Sequence, residues 1–276
     1  MLGKLLKHEF RATGRTMLPI YGAVIVLSVL ASVSGRLMDR EPGTFLYILF
    51  GLIVAAFVIG IIAALIMTAV LMIRRFYTNY LKDEGYLMHT LPVSVHELVW
   101  SKMLVSLVWF AATFVVIWLV ILLMVFVESG TNLAEIFAKL PSWAEIRQVL
   151  TEYGIRMGDV WLLAAEALLA VIVGGLLTCL HFYAAMSLGH MFSKDKILLS
   201  IVFYVAISFV LSMATTGYGV GRVNALEHMD ITLETASQAI RFAQAAWGEM
   251  LLVVTVQAAL LYLATVLSLK KGLNLA

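Results

Sequence analysis

MLVSLVWFAATFVVIWLVILLMVFV, residues Met103 to Val127, carries no charge and is bounded by Lys102 on one side and Glu128 on the other. An α-helix rises about 1.5 Å per residue, so a run of this length crosses a hydrocarbon core about 30 Å thick. Five further runs of the same kind lie around it: Met17 to Gly35, Thr44 to Ile73, Val160 to Leu188, Ile197 to Thr216, and Met250 to Leu269. Only Val160 to Leu188 contains an ionisable acid, Glu166, and the last run is closed by Lys270 and Lys271. Long unbroken apolar runs exclude a membrane β-barrel, whose strands alternate over about 10 residues. The chain therefore reads as an all-α membrane protein with six transmembrane helices.

Composition agrees. Of 276 residues, 62% are apolar and 13% charged, against about 45–50% and 25% in an ordinary soluble domain. A single cysteine excludes a disulfide framework and any Cys-rich zinc or iron–sulfur site, which need at least two thiolates. The net charge of +2 gives no ground for a nucleic-acid partner, so the placement of charge matters more than its sum.

Six crossings put both termini on one side. That side carries Lys4, Lys7, Arg11, Arg15, Arg74, Arg75, Lys82, Lys102, Lys194, Lys196, Lys270 and Lys271; the other carries Arg36, Arg40, Lys139, Arg147, Arg156, Arg222 and Arg241. By the positive-inside rule both termini are cytoplasmic. The Met17 to Gly35 run is longer than the roughly 7–15 residues of a signal-peptide core, which predicts an uncleaved first span.

Residues 1–16 place Leu2, Leu5, Leu6 and Phe10 on one helical face and Lys4, Lys7 and Arg11 on the other, which predicts an amphipathic interface helix on the cytoplasmic leaflet, ahead of a six-span domain over 17–276. The connection over residues 74–102 is too rich in aromatic and aliphatic residues for a flexible tether and too short and polar to cross the membrane, so it predicts a short helix seated on a partner surface and broken by Pro92. Ser94-Val95-His96-Glu97 fits a capping box and predicts a new helix running into the third span. On the opposite face Asn132 to Glu135 and Ser142 to Glu145 each match a helix start, and Ile231 to Trp247 predicts a third short helix that lies on the leaflet or dips into it. Ala56, Gly60 and Ala64 recur every four residues and form a groove for close helix packing, within the chain or between subunits.

Tests for chemistry mostly fail. His96-Glu97-Leu98-Val99-Trp100 opens like a zinc-protease helix but has Trp100 where the second imidazole is required, so no metal site is expected. Ala185-Met186-Ser187-Leu188-Gly189 lacks the leading glycine and the preceding strand of a nucleophile elbow. Gly217, Gly219 and Gly221 read as a flexible cap closing the fifth span. No Gly-x-x-x-x-Gly-Lys-[Ser/Thr] occurs, so the chain has no P-loop for nucleotide hydrolysis and is not expected to be an enzyme. Polar groups in lipid point to function by default. Glu166, His181 and Gln257 are accordingly candidates for lining a translocation path, the alternatives being headgroup contact for Glu166 and interhelical hydrogen bonding for the other two.

The stretch Asp83-Glu84-Gly85-Tyr86-Leu87-Met88-His89-Thr90-Leu91-Pro92-Val93-Ser94, followed by Glu97 and Lys102, resembles the cytoplasmic loop of bacterial ABC exporter permeases of the type-2 class. The basic amino-terminal helix and the closing Leu269-Lys270-Lys271-Gly272-Leu273-Asn274-Leu275 are similar to that group as well. The resemblance implies a multi-pass protein of the bacterial plasma membrane and a coupling helix docked on a separate cytoplasmic ATPase. Asp83, Glu84 and Gly85 would form the ATPase-facing turn, and Tyr86, Leu87, Met88 and Leu91 would belong to the seated helix. It further implies a second permease subunit, the same chain or a similar one, and ATP with magnesium held by the partner, leaving this chain without a cofactor. Two other classes stay open on composition: an ion-coupled secondary carrier or channel, and a membrane scaffold or sensor that transports nothing.

Overall fold

A computed structural model describes residues 2–38, 43–81, 93–129, 141–192, 194–227 and 236–271. Among these residues there are helices and no strand. The elements are α1 (Leu2–Met38), α2 (Thr44–Phe76) continued by a π-helical turn (Tyr77–Leu81), α3 (Val95–Ser129), α4 (Trp143–Glu152), α5 (Met157–Gly189), α6 (Lys196–Glu227) and α7 (Ala236–Lys271). All but α4 contain stretches long and apolar enough to span a membrane, and they enclose the six runs read from the sequence. Leu18, Ile59, Trp118, Leu168, Val171 and Phe209 are all more than half exposed, a distribution suited to lipid and unfavourable in water. The chain is built as a multi-pass membrane protein.

Three helix boundaries differ from expectation. The helix expected over residues 1–16 does not end there: α1 continues through Pro19 to Met38. Its buried stripe, Glu9, Thr13, Met17, Tyr21, Val24, Ser28 and Ala31, recurs every three or four residues across the expected boundary, so one packing face is shared by both parts. The glycines at 217, 219 and 221 are helical within α6 and form no cap. Each costs about 1 kcal/mol relative to alanine in a helix, but Tyr218 and Arg222 both bond Glu249 of α7 and hold this stretch in register. The segment expected as a third short helix is, from Ala236 onward, the opening of α7. There Gln244 Nε2 donates to the Asp159 carbonyl at 2.9 Å.

Other boundaries follow their signals. Ser142 caps α4: its hydroxyl accepts from the Glu145 amide at 3.3 Å, and the Ser142 amide donates to Glu145 Oε2 at 2.9 Å. The first helical residue of α3 is Val95, immediately after Ser94. Asn132 to Glu135 lies outside the described residues.

The chain divides into two compact units, one of residues 1–75 and 97–140, the other of 76–96 and 141–276. In the first, Val24 and Ala31 of α1, Phe57 and Ala64 of α2 and Val120 of α3 form the buried core. A β-carbon on Gly60 would lie 3.1 Å from Leu27 Cδ1, so the small-residue groove of α2 receives α1 of the same chain. In the second, α5 packs along both α6 and α7. A very close approach there is at Gly189, the last residue of α5. A β-carbon on it would collide with Ser200 Oγ and stand 2.5 Å from the Ser200 amide nitrogen and 2.7 Å from its α-carbon. Backbone cannot yield cheaply, so Gly189→Ala should lose about 1–3 kcal/mol of stability. Gly174→Ala, with open space around the same helix, should be neutral or slightly stabilising. Thermal unfolding in detergent, followed by circular dichroism, compares the two.

Candidate functional site

The expected ATPase-facing residues Asp83, Glu84, Gly85, Tyr86, Leu87, Met88 and Leu91, together with Pro92, lie outside the described residues. What is described is how the chain is held on either side of them.

On the leading side, α2 passes into the π-helical turn Tyr77–Leu81. Single π-turns of this kind occur often at functional sites. Here Phe76, Asn79, Tyr80 and Leu81 are all buried. The Phe76 ring stacks on Tyr183 of α5, centroids 4.0 Å apart and planes 8° apart, and meets Tyr80 edge-on at 5.2 Å. Tyr77 meets His190 edge-on at 5.5 Å. His190 follows the end of α5, where its Nδ1–H donates to the Met186 carbonyl at 2.8 Å. Burial pushes this imidazole below the ordinary histidine range; the bond to Met186 opposes the shift and the nearby Lys196 charge adds to it. Of the aromatic residues that set this stretch apart from a tether, Phe76 is thus packed on α5 and Tyr77 against the residue that follows it.

On the trailing side, α3 opens with His96 bonded to α7: Nδ1 is 2.6 Å from the Tyr262 hydroxyl and Nε2 is 3.2 Å from Lys270 Nζ. An ammonium can only donate, so Nε2 accepts from Lys270 and the ring proton sits on Nδ1, directed at Tyr262. Both nitrogens of the histidine that opens the failed zinc motif are therefore engaged, and no metal-holding cluster occurs among the described residues.

Within the first unit, Lys102 of α3 is 2% exposed and ion-paired with Glu9 of α1, itself 8% exposed. A ladder of side-chain bonds continues above the pair. Trp109 Nε1 donates to Thr13 Oγ1 at 2.7 Å, the Tyr21 and Thr113 hydroxyls are 2.7 Å apart, and Thr68 and Thr113 are 2.9 Å apart. α1 is thereby latched to the start of α3 by charge and along its length by hydroxyl and indole groups. Sequence reasoning singled out Lys102 but missed Glu9, the lone acid among the basic residues of the amino-terminal helix.

The three residues suggested for a path are all in the second unit but bond separately. His181 Nε2 is 3.0 Å from the Ser208 hydroxyl and 3.2 Å from the Tyr204 carbonyl of α6, and its ring stacks on Tyr204 at 4.4 Å. Gln257 Nε2 donates to Thr215 Oγ1 at 3.0 Å and to the Leu211 carbonyl at 3.3 Å. Both act as interhelical hydrogen-bonding residues. Glu166 is half-buried, and its Oε2 is buried without a hydrogen-bond partner among the described residues. A further group went unforeseen: Glu249 of α7 accepts from Tyr218 and, at 2.8 Å, from Arg222 of α6. Its signal was available, since each of these polar groups lies near the end of an apolar run and needs a partner there. Ser187, the candidate nucleophile already set aside, is fully buried and accepts a hydrogen bond from Ser268.

Comparison with protein-family models, with curated proteins and with solved structures finds no match.

Proposed function

We propose that the chain is the membrane-spanning permease subunit of an ATP-driven exporter in a bacterial plasma membrane. It would work with a second permease subunit and with separate cytoplasmic ATPase subunits that hold ATP and magnesium. The observation that supports this most is the pair of anchors on either side of residues 82–92. Phe76 is stacked on Tyr183 of α5 and braced edge-on by Tyr80, and His96 is bonded to α7. A push on a segment held in this way moves packed helices as bodies instead of being absorbed by a slack loop. Asp83 and Glu84 supply carboxylates able to pair with basic residues of a docking ATPase. With no P-loop in the sequence, an ATP-driven chain would receive its energy through such a contact.

Affinity purification of the tagged chain from its own membranes should bring down a cytoplasmic P-loop ATPase. Glu84→Arg, or a Gly/Ser replacement of residues 86–91, should abolish that association while leaving the chain in the membrane. Undiminished association after both changes, or vigorous transport by the purified chain alone without nucleotide, counts decisively against the proposal.

A further inference from the structure

The helix α4, Trp143–Glu152, has no buried residue, so none of the described residues of its own unit covers it. Its side chains are nevertheless sorted. At 100° per residue, Trp143, Ile146, Val149, Leu150 and, just beyond the end, Tyr153 fall within one arc of about 120°. Glu145, Arg147, Gln148, Thr151 and Glu152 occupy the rest. Trp143, Val149 and Tyr153 are each more than half exposed. The helix is closed by its own capping box, so it needs no protein neighbour to satisfy its first turn.

Its height is set by the neighbouring span. The Trp143 ring lies 6.5 Å from that of Trp161, which is in the second turn of α5 and is 62% exposed at the head of that helix's lipid-facing surface. The exposed apolar face of α4 thus continues the surface that α5 gives to the bilayer, at the level where a membrane-spanning helix begins. Tryptophan and tyrosine favour that level, because their rings are apolar and their N–H or O–H groups need water.

We infer that α4 lies in the headgroup layer of the membrane, on the face where α5 begins, with Trp143, Val149 and Tyr153 inserted among lipid chains and Glu145, Gln148 and Glu152 toward water. Arg147, at the edge of the apolar arc, reaches lipid phosphate. The occupant of this face is lipid, and the inference stands independently of any coupling to ATP.

Single nitroxide labels at Val149→Cys and Glu152→Cys, in the full-length chain reconstituted into phosphatidylcholine–phosphatidylglycerol vesicles, test it. The native Cys179 is buried, and unsubstituted protein put through the same labelling gives the background. Oxygen should relax the label at 149 severalfold more than a water-soluble nickel chelate does, with the order reversed at 152. Equal access of the chelate to both positions would overturn the inference. So would protection of position 149 from both reagents, the result expected if protein and not lipid covers this face.

Discussion

Lys102→Ala should lower stability by about 3–5 kcal/mol, the usual cost of leaving one buried charge without its partner. The residue is 2% exposed and its partner Glu9 is 8% exposed, so water cannot replace the lost ammonium. Removing both charges together, as Glu9→Gln with Lys102→Met, should recover most of the loss, because the desolvation penalty disappears along with the attraction. Arg156→Ala provides the contrast. Its ion pair with Asp159 is between sequence neighbours at 3.3 Å, and the arginine side chain is 73% exposed, so it should cost about 0–1 kcal/mol and fade with added salt. Thermal unfolding of the four proteins in one detergent gives the comparison. A loss below about 1 kcal/mol for Lys102→Ala would show that Glu9 is neutral or hydrated when its partner is removed. The latch between α1 and α3 would then owe more to the hydroxyl and indole ladder and to the packed core than to this ion pair.

The helical architecture was legible because lipid demands apolar residues on every exposed face, and six uninterrupted runs admit little else. The ends of the helices were not. Hydropathy takes a charged or amide side chain as the edge of a span, yet α1, α6 and α7 all run on where such a group finds a partner: Glu9 with Lys102, Arg222 with Glu249, Gln244 with the Asp159 carbonyl. Pairing of this kind depends on how distant segments are aligned, which no local window contains. The same holds for the polar residues of the spans. His181 and Gln257 could be recognised as needing partners, but Ser208 and Thr215 became those partners only through the register of α6 against α5 and α7. Likewise the aromatic and aliphatic density of the connection over residues 74–102 pointed to a partner surface, whereas Phe76 at its start stacks on Tyr183 of its own chain, a choice that did not follow from spacing.

Phe76→Ala carries the second large expected effect, and it separates anchoring from docking. The ring is 0% exposed and lies flat on Tyr183 at 4.0 Å. Its removal should cost about 3–5 kcal/mol through lost burial and the cavity left behind. In a cycle with Tyr183→Ala, about 0.5–1.5 kcal/mol of that should appear as coupling between the two rings. Phe76→Leu keeps an apolar side chain in place, so it should fold with a smaller loss while still giving up the stacking. If residues 82–92 form the lever proposed above, this milder variant should bind its ATPase as well as the parent chain does, because Asp83 and Glu84 are untouched. Transport per ATP hydrolysed should fall, since the force now meets a looser seat. Full coupling in Phe76→Leu would mean that the stacked pair serves stability alone. Loss of ATPase binding would instead mean that the anchor shapes the docking surface itself. Measuring ATPase association and transport on the same membranes distinguishes the three outcomes, and the proposed lever predicts intact association with impaired transport.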